Sequence, residues 1–159
     1  MKIESSSIGF PRIGPRRELK KALESFWAGR SALAQLRTEA DRIEAEGFKI
    51  QADSGLDLVP AGDFCLYDQM LDAAVMYDVI PKRHQGFKPV IPQGYFSMAR
   101  GSAQAPACEM TKWFDTNYHY IVPEFEKSPR LARNLLLTAA ERAGRGLEGR
   151  PFKLTALGP

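Results

Sequence analysis

Four short apolar segments alternate with helical stripes along this chain, and that order restricts the fold more than any other feature of the sequence. KIESSSIGF, residues 2 to 10, reads as a strand that PRIGP then halts, because prolines and a glycine deny it further ladder hydrogen bonds. Pro15 suits the first turn of a helix, where its missing N–H would be unpaired anyway. Leu19, Leu23, Phe26 and Trp27 then recur on one helical face. Gly29 ends that helix. Ser31 is placed to cap a second, with the stripe Leu33, Leu36, Ala40 and Ile43, an interruption at Gly47 and a resumption to about Ala52. LDLVP, residues 56 to 60, is the next strand, and Asp63 is placed to cap a helix striped by Tyr67, Met70, Leu71, Ala74 and Val75. CEMTKWF supplies a third strand, Ser128 and Pro129 open a helix from Arg130 to about Ala143, and FKLTAL supplies a fourth strand. Helices of crossover length between strands predict a parallel α/β architecture. Pattern alone leaves a closed barrel and an open sheet both open.

With 44% apolar and 26% charged residues in 159, the chain has the makings of one core and not the composition of a disordered segment. A (β/α)8 barrel takes about 250 residues, and this chain stops at KLTALGP, a strand running into a turn, so the expectation is a fragment of a longer protein. Residues 78 to 106, rich in proline and glycine, read as a long excursion with a brief helix near YFSMAR; loops of that length are functional or mobile. A net charge of +3 is too small to imply nucleic acid. No apolar run approaches the roughly 18 residues of a membrane span, and the N-terminus lacks a signal core. Cys65 and Cys108 make no disulfide framework, which points to a reduced, cytoplasmic setting.

Two stretches carry the chemistry. Arg12, Arg16, Arg17, Lys20 and Lys21 cluster around the single acid Glu18 at the start of a helix, where exposed N–H groups and the macrodipole favour anions. A solvated helical face is the competing reading of that cluster. In EMTKWFDTNYHYIVPEF, residues 109 to 125, Trp113, Phe114, Tyr118 and Tyr120 crowd around Lys112, Asp115, Asn117 and His119, a mixture that suits neither a solvent face nor a uniform core. The aromatic rings are better read as core than as a stacking platform. If the strands lie parallel, Arg12, Arg16 and Arg17, then Asp63, then Asp115 and Asn117 fall at strand carboxyl ends, where barrels keep their chemistry. Cys65, Cys108, His84 and His119 are zinc-ligand types, yet none stands at C-x2-C or H-x3-H spacing, so no metal site is expected. The GRG and MARG segments lack the pattern of a phosphate loop.

These stretches, together with GFPRIGPRRELKKALESFWAG, VPAGDFCLYDQMLDAAVMYDVIPKRHQ and YFSMARG, closely resemble the amino-terminal domain of the cobalamin-independent methionine synthase family over nearly the whole chain. The resemblance implies a (β/α)8 barrel of which residues 1–159 form about the first half. It implies an enzyme of methionine biosynthesis, a zinc-dependent methyltransferase that takes a methyl group from 5-methyltetrahydropteroyltriglutamate to homocysteine. The zinc and homocysteine sites of the family belong to a carboxyl-terminal barrel, so this part is expected to hold no catalytic residue and to be inactive alone. The family's folate polyglutamate tail site maps onto Arg16, Arg17, Glu18, Leu19 and Lys112, with Lys20 and Asn117 as neighbours. Carboxylates of such a tail suit Arg forks and Lys ammonium groups. A stand-alone folate-polyglutamate or anion-binding module, and a related barrel of the uroporphyrinogen decarboxylase type, are the alternatives; TKWFDTNYHY disfavours the second. Uncovered strand edges predict that the fragment self-associates.

Overall fold

In the computed structural model, residues 3–85 and 93–158 are described. The chain forms two compact units, Met1–Leu66 with Leu136–Ala156, and Tyr67–Leu135 with Leu157–Pro159.

The first unit is a parallel α/β arrangement. The apolar stripe read from Leu19 onward forms helix α1, Glu18–Trp27, and the second stripe forms α2, Leu33–Asp53. Gly47 does not interrupt α2. A Cβ there would lie 3.1 Å from the Phe10 ring, so this glycine marks close packing instead of a break. Ser31 does not cap α2 either: Ala32 stands at the cap, and the Gln35 side chain accepts its N–H at 2.8 Å. Strand β1, Val59–Ala61, is buried at every position and pairs in parallel with β4, Phe152–Leu154. The predicted first strand reduces to a parallel bridge between Ser6 and Leu58, reinforced by the Ser5 N–H and hydroxyl donating to Asp57 at 2.8 Å each. Both of these pairings are parallel, as the alternation of elements predicts. Helix α5, Leu135–Gly146, begins five residues later than Arg130. The intervening backbone is used elsewhere, since Arg130 and Ala132 donate to the carbonyls of Tyr77 and Met76 in the second unit.

Phe48, Ala52, Val59, Ala61, Ala143 and Leu147 form the core of this first unit, with Phe152 packed against it. Burying side chains of this size contributes roughly 1.5 to 3 kcal/mol for each large one. At Gly62, φ is +91° and a Cβ would stand 2.8 Å from the Thr155 carbonyl oxygen, so only glycine fits where the chain leaves β1 beside β4.

In the second unit, helix α3 runs Gln69–Met76, a short 3-10 turn covers Lys82–His84, and α4 runs Gln93–Arg100, the helix expected near YFSMAR. Residues 86–92 of the predicted excursion lie outside the described residues. Asp68, not Asp63, caps α3, accepting the Leu71 N–H at 3.0 Å. Asp63 instead accepts the Phe10 N–H at 2.8 Å in the first unit. The stretch read as a third parallel strand is a hairpin. Strand β2, Met110–Lys112, pairs antiparallel with β3, His119–Ile121, with Lys112 opposite His119. Hairpin pairing wins because Trp113–Tyr118 forms a turn that closes on itself: the Trp113 N–H donates to the Tyr118 carbonyl at 2.8 Å, and Thr116 returns its N–H and hydroxyl to the Trp113 carbonyl. Among the described residues, no helix is long and apolar enough to cross a membrane.

Candidate anion-binding site

Arg16, Arg17, Glu18, Leu19 and Lys20 lie in the first unit, at the start of α1; Lys112 and Asn117 lie in the second, on the hairpin. Leu19 is fully buried, and its N–H donates to the Ile13 carbonyl at 3.2 Å. It therefore anchors the turn and leaves the polar work to its neighbours. Glu18 folds back on the same turn. Its Oε2 accepts the Arg16 N–H at 2.8 Å and its Oε1 accepts the Arg16 Nε at 3.2 Å. Desolvation acts to raise this carboxyl, but the backbone N–H groups of Glu18 and Arg16 and the Arg16 guanidinium outweigh it and hold the group below the usual range. Glu18 thus occupies part of the positive field at the helix start that an outside carboxylate would otherwise use, and it fixes the direction of Arg16.

Arg17 caps α1 in the left-handed region, with φ 63° and ψ 38° and no side-chain cap bond. A non-glycine residue held there is under strain of order 1 kcal/mol or more, and Arg17 is exposed beside Arg16. The Arg16 side chain is 83% exposed even while paired with Glu18. Lys20 pairs loosely with Glu24 at 3.6 Å, an exposed contact that a stronger anion would outcompete. Among the described residues, Arg17 and Lys112 make no side-chain hydrogen bond or ion pair and stand in solvent.

On the hairpin, Lys112 and His119 share a face by register. Trp113 and Tyr120 lie on the other, their ring centroids 5.5 Å apart. The Asn117 carbonyl accepts the Nδ1–H of His119 at 3.0 Å, which fixes the imidazole beside the lysine. Trp113 and Phe114 are 41% and 80% exposed, so these two rings are surface groups and not the core that the sequence suggested. Phe114 is held outward by a left-handed backbone at φ 49°.

The residues that sequence reasoning passed over are buried or half-buried polar ones in the second unit. Asp68 is 2% exposed and binds three donors; the signal, an Asp immediately before the apolar run of α3, was present but Asp63 competed for it. Arg83 forks onto Glu124 with both contacts at 2.6 Å and touches the Cys108 sulfur at 3.5 Å. Burial and the neighbouring Glu124 push the Cys108 thiol up to about 11. His84 is fully buried with Nδ1 3.0 Å from the Ser97 hydroxyl. With Cys108 and His84 engaged in this way, and no group of three or more His, Cys, Asp or Glu converging among the described residues, the residues present do not fit zinc.

Parallel strand pairing, two crossover helices and an arginine-rich helix start define an α/β domain with an exposed cationic face. Residues 4–159 match the family described as "Cobalamin-independent synthase, N-terminal domain". The chain belongs to the cobalamin-independent methionine synthase family, within its N-terminal domain. It is 49% identical over 155 residues to the 5-methyltetrahydropteroyltriglutamate–homocysteine methyltransferase of Halalkalibacterium halodurans, covering 94% of this chain and 20% of that protein. The proteins of the same name from Listeria innocua and Nitrosomonas europaea are 47% and 48% identical, over 95% and 90% of this chain and 20% and 19% of their own lengths. The chain spans about a fifth of the length of these curated relatives.

Proposed function

We propose that this chain is the amino-terminal part of a methyltransferase that makes methionine from homocysteine and 5-methyltetrahydropteroyltriglutamate, and that its own task is to bind the glutamate tail of the folate. The observation that carries this reading is Arg17, held in a strained left-handed backbone at the start of α1 with its guanidinium uncommitted among the described residues. Arg16 and Lys20 flank it, Glu18 aims Arg16, and Leu19 anchors the turn. Lys112 and Asn117 supply an ammonium and an amide from the hairpin. A γ-linked triglutamate presents four carboxylates to such cations, whereas a monoglutamate presents two.

The fold is proposed to be about half of a (β/α)8 barrel, supported by the parallel pairing of Ser6, β1 and β4 and by the family resemblance. Zinc, as the resemblance implies, would serve the homocysteine thiol from residues outside this chain, and the chain alone would transfer no methyl group. A cytoplasmic setting is consistent with its two free thiols. Leu137 and Leu154, 56% and 45% exposed, offer apolar surface through which the isolated chain would self-associate, which light scattering over a concentration series reads directly.

Exposed ion pairs contribute about 0.2 to 1 kcal/mol each, so a handful with some hydrogen bonding gives roughly 2 to 4 kcal/mol, near a millimolar dissociation constant. Calorimetric or NMR titration with the mono- and triglutamate forms at low and high salt tests the assignment. The expected result is tighter binding of the triglutamate, lost at high salt; equal affinity for the two forms would refute tail binding.

A further inference from the structure

We propose that Asp68 is the positioning residue of the hairpin that carries Lys112 and Asn117. Its Oδ2 accepts the Leu71 N–H and the Ile121 N–H, each at 3.0 Å, and its Oδ1 accepts the Tyr118 hydroxyl at 2.6 Å. One buried carboxylate therefore caps α3 and holds β3 at two points, Tyr118 just before the strand and Ile121 at its end. Lys112 pairs with His119, between those two points. A hairpin with three residues in each strand is marginal by itself, so the place of the lysine depends on this outside tether. The tether is itself held. The Tyr95 hydroxyl accepts the N–H groups of Tyr67 and Asp68 at 3.1 and 3.4 Å and donates to Asp72 at 2.6 Å, tying α4 to the start of α3. Tyr118 is 45% exposed, yet its hydroxyl reaches the buried Asp68.

The role rests on the reading that Lys112 binds the glutamate tail, and the test separates the two. The full chain is titrated with 5-methyltetrahydropteroyl mono- and triglutamate as wild type, Lys112→Ala, Tyr118→Phe, Asp68→Asn and Asp68→Ala. Near-ultraviolet circular dichroism in a Trp27→Phe background, which leaves Trp113 the single tryptophan, reports the Trp113–Tyr120 contact. Tyr118→Phe removes one hydroxyl and is expected to weaken triglutamate binding by up to the loss seen in Lys112→Ala, about twofold to fivefold, leave the monoglutamate unchanged and reduce the Trp113 signal. An asparagine at 68 can still accept both backbone N–H groups and donate to the Tyr118 oxygen, so Asp68→Asn should stay within about twofold of wild type, while Asp68→Ala, if it folds, should not. Wild-type triglutamate affinity in Tyr118→Phe, alongside a loss in Lys112→Ala, overturns the positioning role and leaves the tail reading standing. No loss in Lys112→Ala removes the tail reading and the positioning role together.

Discussion

The two units solve the same problem, holding their surface side chains in place, by different means. The first closes a parallel α/β arrangement over Phe48, Val59, Ala61, Ala143 and Leu147, and it places an ion pair of Arg142 with the buried Glu44, at 2.6 Å. The second keeps apolar residues inside as well, but its hairpin, helix starts and connections converge on buried or half-buried polar groups: Asp68, Tyr95 with Asp72, His84 with Ser97, and Arg83 with Glu124. Apolar burial tolerates small displacements, whereas a carboxylate with three donors specifies each of them in direction and distance. The start of α1 is accordingly anchored by buried Leu19, whereas the hairpin is bonded to the carboxylate of Asp68.

The sharpest challenge to that contrast lies in the first unit. Arg142→Ala strands Glu44, whose side chain is 5% exposed, without its partner; the expected loss is about 3 kcal/mol, read as a shift of the denaturation midpoint. Replacing both by hydrophobic residues of similar volume should recover most of it, and failure to recover would make the unit as dependent on polar contacts as its neighbour. In the second unit, Tyr95→Phe deletes one hydroxyl that serves three partners and should cost about 1 to 2 kcal/mol, with hydrogen exchange quickening across the start of α3. An unchanged melt would show that the polar network there is ornamental.

Acid should separate the units next. Burial holds His84 below the ordinary 6.5, so its contribution is full above that value and is lost as pH falls through the folded value. Glu124, lowered chiefly by Arg83, and Asp78, lowered chiefly by Lys127, add further losses as pH falls from 4.5 and 3.8. Glu44 runs the other way: burial raises it, so its contribution is present below 4.5 and is lost as pH rises through the folded value. Exchange protection should therefore fall first in the second unit between about pH 6.5 and 4, and simultaneous loss in both would contradict the contrast. The smallest effect concerns Cys108, buried and pushed to about 11: maleimide at neutral pH should label it only as fast as the native state opens, and rapid stoichiometric labelling would mean that the Arg83–Glu124 contact does not close over it.

What the sequence made legible follows the same division. Periodicity located α1, most of α2 and the strand at Val59 because apolar faces must be buried and repeat at fixed spacing. It misplaced what polar side chains decide. Asp63 and Asp68 are equally good caps on paper, and only the hydrogen bond from Phe10 to Asp63 shows which was taken. The hairpin was read as one strand because Trp113–Tyr118 carries no glycine, the usual turn signal; Phe114 adopts the left-handed conformation itself. Helix α5 began late because backbone donors before it were claimed by the carbonyls at the end of α3. For the candidate site, the cationic cluster was legible from its charge, and its assignment to a folate tail rests on the family resemblance. The Glu18 fold-back and the Asp68 tether were not, since both depend on contacts that no local pattern encodes.

The central claim is the proposal that the arginines at the start of α1 contribute to affinity for a polyglutamate tail, and comparison of Arg17→Ala with Arg16→Ala tests it most directly. Each variant is titrated with the mono- and triglutamate forms at low salt, alongside a melt to confirm that the fold persists. The account predicts that each substitution weakens the triglutamate by about twofold to fivefold, in keeping with an exposed ion pair, and leaves the monoglutamate within error. Loss confined to one of the two variants, or equal loss for both ligands, would contradict it.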